Sequence, residues 1–293
     1  MNNSFDHSNI FFQIIVVCLN AGNKLLETVG SVLLQSYENY QILVKDGGST
    51  DGSVESLKER YKDDRLLIVS QKDCSIYDAM NQGIQLSRQS DLTLNTYYLF
   101  LNCGDYLQDA EVLADVAKDL EDTIKTFPEQ LSGKKQPGLR IIYGNRFNAL
   151  TSSVESSPVK IDAFTCFRNI PCHQTCFYSG ECFETRQYEP MYKVRADYEH
   201  FLWCYFVGKA DFISMDRCIV QYEGGGYSET KENEKRSMEE HKEITRKYMS
   251  LGQRFLFKSY LIVTLQPLRH AIATNPRLAE GYNKLVRSLR GRK

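Results

Sequence analysis

No apolar run in this chain of 293 residues approaches the ~20 residues needed to span a bilayer. The longest, Ile14 to Leu19 and Tyr260 to Leu265, stop far short, so no segment is expected to cross a membrane. A charge excess of one sign is missing as well: 36 Lys and Arg stand against 37 Asp and Glu. That balance excludes a general polyanion binder, and no nucleic-acid partner is expected. Internal repeats and low-complexity tracts are lacking, which excludes solenoids and arrays. The first ten residues are polar, include Asp6 and His7, and have the form of neither a signal peptide nor a transit sequence. The nine cysteines therefore read as reduced thiols of a cytoplasmic protein, not as a disulfide framework. Cys166, Cys172, Cys176 and Cys182 crowd around His173, but their spacings match no common zinc pattern, and buried thiols are expected.

What is present starts with 42% hydrophobic residues, enough for a large core. Phe11 to Leu19 is a continuous β-branched run, the mark of a strand buried on both faces. A helical pattern follows through Leu25, Val29 and Val32. Tyr40 to Val44 predicts a second strand, Val54 to Tyr61 a helix, Leu66 to Val69 a third strand, Ala79 to Leu86 a helix, and Tyr97 to Leu101 a fourth strand. This alternation predicts an α/β fold, a doubly wound sheet flanked by helices, with ligands at the carboxyl ends of its strands. Further on, a helix is expected from Asp105 to about Phe127, and an exposed loop over Glu129 to Gly138. Later strands are expected at Arg140 to Tyr143, Val159 to Thr165, Thr175 to Tyr178, Asp211 to Ser214 and Ile219 to Tyr222, and helices at Ala196 to Val207 and Lys231 to Met249.

Three polar breaks follow buried strands. Asp46-Gly47-Gly48-Ser49-Thr50-Asp51-Gly52 offers a carboxylate and a close-approach backbone for a nucleoside, or equally a capped turn with Thr50 or Asp51 as helix cap. Asp73 to Gly83 packs Asp73, Tyr77, Asp78 and Asn81 between a strand and a helix, with Ser75 placed to cap. Asn102-Cys103-Gly104-Asp105 brings a carboxylate out of an apolar strand, where an unpaired charge is costly and a divalent cation would satisfy it; a simple turn Asp is the other reading.

This order resembles the family 2 glycosyltransferases with the GT-A fold: an apolar first strand, an Asp-Gly-Ser-Thr-Asp-Gly turn, an Ala-x-Asn-x-Gly helix segment and an acidic motif ending a later strand. Ile76 to Asn81 and the Leu-Asn-x-Gly-Asp run are similar to a bacterial branch associated with exopolysaccharide and capsule synthesis. The resemblance spans about residues 11 to 230. It implies an inverting enzyme that moves a sugar from a nucleotide-sugar donor to a glycan or lipid-linked acceptor. By it, Asn20, Asp46, Asp73, Asn81 and Gly83 would form the donor pocket, and Asp105 would hold Mg²⁺ or Mn²⁺. Where the family carries another Asp just before, this chain has Asn102, Cys103 and Gly104. Asp197, at the start of a helix in Arg195-Ala196-Asp197, matches the family's catalytic base, with Ala196 replacing the usual Glu; a carboxylate pKa near ~3.9 keeps it ionised at neutral pH. A plain helix cap is the other reading of Asp197. Glu199 points away around the helix and is expected to be solvated or near the cap, and Trp203 is expected in the core. His173-Gln174 and the Gly224 to Ser228 loop, with Gly225 and Ser228, would lie toward the acceptor or the diphosphate.

The resemblance divides the chain into a GT-A domain over 10–230, with a nucleotide-sugar half at 10–106 and an acceptor half at 107–230, and a helical C-terminal extension at 231–293. From Leu251 onward, nine Lys and Arg stand against the single acid Glu280. Pro267 divides this basic tail into two expected helices, suited either to anionic lipid on the inner face of a membrane or to packing on the domain. Two rival functions remain: an inactive nucleotide-sugar-binding protein, and a sugar nucleotidyltransferase, whose basic Gly-rich loop after the first strand is missing at Asn20 to Leu26.

Overall fold

Phe11–Cys18 (β1) is apolar at almost every position because elements cover both of its faces. The computed structural model describes residues 10–88, 95–126, 138–224 and 230–264. β1 pairs in parallel with Tyr40–Asp46 (β2) on one side and Thr96–Asn102 (β4) on the other, and β2 pairs in parallel with Leu66–Ser70 (β3). Beyond β4 the sheet becomes mixed. Cys176–Ser179 (β8) is antiparallel to β4 and to Arg140–Asn148 (β6). Asp211–Tyr222 (β9) runs parallel to β6 and carries the short Tyr106–Leu107 (β5) at its outer edge. Ser153–Glu155 (β7) pairs with β6 off this path.

Side chains alternate across a strand, so β1 serves two layers. Phe12, Ile14 and Val16 enter one core with Val29 and Val32 of Asn23–Leu33 (α1), Leu57 of Ser53–Arg60 (α2) and Val116 of Val112–Thr126 (α4). Ile15 meets Ile76–Ser87 (α3) at Gly83, where an added Cβ would lie 2.8 Å from Ile15 Cγ2. The expected α/β sheet flanked by helices is what the structure has.

Three expected elements differ. The helix expected from Asp105 begins only at Val112, because Tyr106–Leu107 pairs with β9 as the short strand β5. Val159 to Thr165 is not a strand: Asp162 caps a short helix, Ala163–Arg168 (α5), its carboxylate accepting from the Thr165 amide at 2.7 Å. Local capping outweighs the β-branched residues there. The two strands expected at Asp211 and Ile219 are one, β9, whose pairing with β6 shifts register around Asn145. Glu181–Glu184 (α6), Ala196–Phe206 (α7), Lys231–Tyr248 (α8) and Leu251–Val263 (α9) complete the α-helices of the described residues, and His173–Thr175 forms a single 3-10 turn before β8. The end of the helix expected at Phe127, the loop over 129–137 and the second tail helix lie outside the described residues.

Contacts divide the chain into two compact units after Lys242, beyond residue 230, where the resemblance places a boundary. The second unit includes α9, which has no buried residue and exposes Leu251, Phe255, Leu256, Ile262 and Val263. Among the described residues no helix is long and apolar enough to cross a membrane.

Candidate active site

Parallel pairing brings the strand ends level. Cys18 lies opposite Asp46, Val17 opposite Asn102, and Asp46 opposite Ser70. The turns after β1 to β4 therefore emerge along one edge of the sheet, where ligands of such sheets bind.

The first two turns are laced together by their own polar groups. Asp46 is 1% exposed, and its Oδ1 accepts from the Ser49 amide at 2.9 Å and the Ser49 hydroxyl at 2.6 Å. Burial works against its charge, but these bonds from Ser49, with others from Ser70 and Gly48, outweigh it and hold its pKa below the ordinary value. Asn20, in the left-handed region at φ 50°, accepts from Thr50 N through Oδ1 and donates its own amide to Ser49 Oγ. Asp51 accepts from Gly22 N and from Ser53. The N-cap of α2 is Gly52 and has no side-chain cap, so neither Thr50 nor Asp51 occupies that position. Lys45, fully buried, donates to Asp73 Oδ2 at 3.1 Å and to the Gln71 carbonyl.

Beside this edge lies a cavity of about 550 Å³ whose walls include Tyr77, Asn102, Asp105, His173, Gln174 and Asp197. Asp105 follows Gly104, whose φ of +102° suits glycine and where an added Cβ would strike Glu223 Oε2. The Asp105 carboxylate is 4% exposed; Gln174 Nε2 donates to Oδ2 at 2.8 Å and the Glu223 amide to Oδ1 at 3.1 Å. Burial prevails over these bonds and raises its pKa.

Asp197 stands in the first turn of α7, where the helix dipole favours an acid. Tyr77 Oη donates to its Oδ1 at 2.8 Å, and His173 Nδ1 lies 3.4 Å from Oδ2. Burial again opposes charge, but His173 and then the Tyr77 hydroxyl outweigh it and leave the pKa below the ordinary value. One cavity thus holds two carboxylates with opposite shifts, Asp197 below the ordinary value through its hydrogen-bond partners and Asp105 above it through burial.

The backbone entering α7 is fixed from a distance. Glu240 of α8 accepts from three successive amides: Lys193 N at 2.8 Å through Oε1, and Val194 N at 3.0 Å and Arg195 N at 2.9 Å through Oε2. Such a row of N–H groups forms a concave nest for a carboxylate.

Of the residues expected at the site, Asp105, His173, Gln174 and Asp197 line the cavity. Asn20, Asp46, Asp73, Asn81 and Gly83 do not. The Asn81 amide is 8% exposed and bonds the Tyr188 backbone in both directions, at 2.8 and 3.0 Å. Gly83 admits the close packing of α3 on Ile15. Gly225 and Ser228 lie outside the described residues; their neighbour Gly224 lines the cavity. Glu199 lies in the first turn of α7, near the cap as one reading had it, but it is fully buried, not solvated, and pairs with Arg186 at 2.7 Å. Trp203 is half-buried with Arg186 over its ring. The crowded thiols have separate partners: Cys172 donates to Gln174 Oε1, Cys176 to the Cys172 carbonyl and Cys182 to the Arg140 carbonyl. Sequence reasoning missed Tyr77 as the partner of Asp197, and missed Glu240; only the Tyr77 position, inside the Asp73 to Gly83 motif, carried a local signal.

The Asp105 end of the cavity offers oxygen donors of the kind a divalent cation takes. Asn102 Oδ1 is buried and has no hydrogen-bond partner among the described residues. With the buried Asp105 carboxylate it provides the oxygen donors a hard cation takes, the rest coming from phosphate or water. No group of three His, Cys, Asp or Glu poised for a metal occurs among the described residues.

Comparison with known proteins gives concordant matches. The family described as Glycosyl transferase family 2 matches residues 13–167. A PGL/p-HBAD biosynthesis glycosyltransferase of Mycobacterium bovis is 30% identical over 223 residues, 75% of this chain and 79% of that protein. Glycosyltransferase GlyA of Streptococcus pneumoniae is 31% identical over 96 residues, 32% of this chain and 13% of that one. Among solved structures, S. aureus TarS 1-349 in complex with UDP-GlcNAc superposes with a TM-score of 0.57 at 14% identity, covering 74% of this chain and 59% of that one. A Pyrobaculum calidifontis mannosyltransferase in complex with GDP-Man and Mn²⁺ gives 0.57 at 15% identity, covering 96% and 75%. The present chain thus spans about three-fifths of the TarS fragment. The structural likenesses are of fold, the GT-A arrangement of a mixed sheet flanked by helices.

Proposed function

The chain belongs to glycosyl transferase family 2, and from that premise we propose that it is an inverting transferase that moves a sugar from a nucleoside-diphosphate donor to a hydroxyl of a glycan or lipid-linked saccharide, in the synthesis of a cell-surface polysaccharide. One observation carries this reading. Two adjacent residues, His173 and Gln174, reach the carboxylates of Asp197 and Asp105, so a base and an anchor for positive charge border one cavity.

In the proposed reaction, Asp197 takes the proton of the acceptor hydroxyl. The acceptor oxygen forms its bond to the anomeric carbon as the opposite bond, to the diphosphate oxygen, breaks. The nucleoside diphosphate leaves with that electron pair, and configuration inverts without a covalent enzyme intermediate. Tyr77 and His173 hold Asp197 ionised and aimed. Held by Asp105 with the Asn102 carboxamide oxygen, Mg²⁺ or Mn²⁺ would supply the counter-charge of the departing diphosphate. Asn20, Asp46 and Asp73 form the strand-end edge assigned to the nucleoside, with Asn81 and Gly83 supporting it from α3. Gly225 and Ser228 are assigned to the diphosphate or acceptor side. On this reading residues 10–106 serve the donor, 107–230 the acceptor, and 231–293 are the helical extension, whose exposed apolar residues and basic tail suit peripheral contact with an anionic membrane on the cytoplasmic side.

The test is a thermal-shift panel of nucleoside diphosphates with and without Mn²⁺, followed by a transfer assay. A ligand that binds only the folded protein raises its apparent stability. Asp197→Asn should abolish transfer and keep nucleotide binding; unchanged turnover in that variant would remove Asp197 from the mechanism.

A further inference from the structure

The charges around the cavity do not all cancel. Arg146 is spent on Glu155, with Nε and Nη2 at 2.9 and 2.7 Å from Oε2, and lies over the Tyr222 ring. Glu223 is taken by Lys24 at 2.6 Å. Two lining cations remain. Arg195 binds Ser237 through Nε alone, at 2.7 and 3.0 Å, and lies 5.4 Å over the Tyr198 ring, with no carboxylate partner among the described residues. Arg168, in the last turn of α5, is exposed at the cavity and likewise has no carboxylate partner there.

Their location decides what they serve. Arg195 is two residues before Asp197, and its backbone is fixed by Glu240. Neither arginine belongs to the turns after β1 to β4, the edge assigned to the donor nucleoside. Arg195, held at Nε and lying over the Tyr198 ring, has guanidinium N–H groups that make no hydrogen bond among the described residues, and is thereby preorganised for a planar or tetrahedral oxyanion. We propose that Arg168 and Arg195 form an anion subsite on the acceptor side, so that the acceptor carries a phosphate or carboxylate group near the hydroxyl that Asp197 deprotonates. This rests on the sugar-transfer reading above, which assigns the acceptor to residues 107–230, where both arginines lie. It narrows the acceptor from any glycan to an anionic one, whether the charge is a phosphodiester, a lipid-linked phosphate or an acidic sugar.

Inorganic phosphate is the probe, titrated calorimetrically into the full chain, alone and with the nucleoside diphosphate that stabilises the protein most. Wild type should bind phosphate equally well in both conditions. Arg168→Gln and Arg195→Gln should each weaken phosphate binding about tenfold, with nucleotide affinity unchanged, and Arg168→Lys should recover part of the loss. Competition between phosphate and nucleotide would overturn the proposal, because the arginines would then serve the donor diphosphate; so would phosphate binding indifferent to both substitutions. Arg168 is exposed, so its variants report even where Arg195→Gln folds poorly. Nucleotide binding without phosphate is read on the same samples, so its failure marks the loss of the sugar-transfer reading separately from loss of the anion subsite.

Discussion

Replacing Glu240 with Ala strips three successive amides of their acceptor. Of these donors, Val194 N belongs to a residue 6% exposed, whereas Lys193 and Arg195 are half-buried and can turn to water. A hydrogen bond to a charged group contributes about 1.5–3 kcal/mol, and a buried donor left unpaired costs about 1–3 kcal/mol. One full loss and two partly replaced bonds sum to a destabilisation of about 2–4 kcal/mol for Glu240→Ala. Glu240→Gln can keep its oxygen on Val194 and Arg195 while setting an NH₂ against Lys193 N, and should lose about half as much. Urea unfolding of the full chain reads both numbers from midpoints at constant slope. The same loss should reach the chemistry, because the segment released leads directly into Asp197: misplacement of a catalytic group by about 1 Å costs on the order of 10²-fold in rate. Midpoints within about 0.5 kcal/mol of wild type for both variants would refute the reasoning. So would an Ala variant that is destabilised as expected yet turns over at the wild-type rate, since the nest would then be structural only.

Three other expectations are open to measurement. Tyr77→Phe removes a donor that favours the ionised form of Asp197, so, with Asp197 as the proposed base, the acid limb of the pH profile of kcat/KM should move upward; an unmoved limb would detach Tyr77 from that role. The same depressed pKa has a linked effect on stability: the contribution of Asp197 is present above its unfolded pKa of about 3.9 and lost as pH falls through its lower folded value. Acid unfolding of Tyr77→Phe should therefore begin at higher pH than that of wild type. Gly83→Ala forces a methyl against Ile15 and should cost about 1–3 kcal/mol in urea unfolding, while Gly48→Ala, free of side-chain overlap, is limited by its φ of +101° alone. Finally, the chain should co-sediment with anionic liposomes at low salt and be released as salt screens the basic tail; equal recovery with neutral liposomes would count against that contact.

What the sequence determined by itself was local in origin. β1 declared itself because a strand covered on two faces must be apolar throughout, and the breaks after the first four strands showed in their Gly, Ser, Asp and Asn residues because turns need those backbones and caps. Ser75 as the N-cap of α3 and Asp197 in the first turn of a helix were legible for the same reason. The family resemblance rests on the order of these local signals. Other features waited for the tertiary structure. Gln174 meets Asp105 across 69 residues of chain, Tyr77 meets Asp197 across 120, and Glu240 meets Val194 across 46. Each pairs ordinary residue types that carry no mark of their partner. Glu199 looked like a solvated helix acid because nothing near it in sequence announces Arg186, and Asn81 looked like a ligand contact because Tyr188, which uses its amide, is far along the chain. Periodicity and turn chemistry are written within a few residues. The occupancy of a buried polar atom depends on which distant backbone arrives beside it, and only the folded chain decides that.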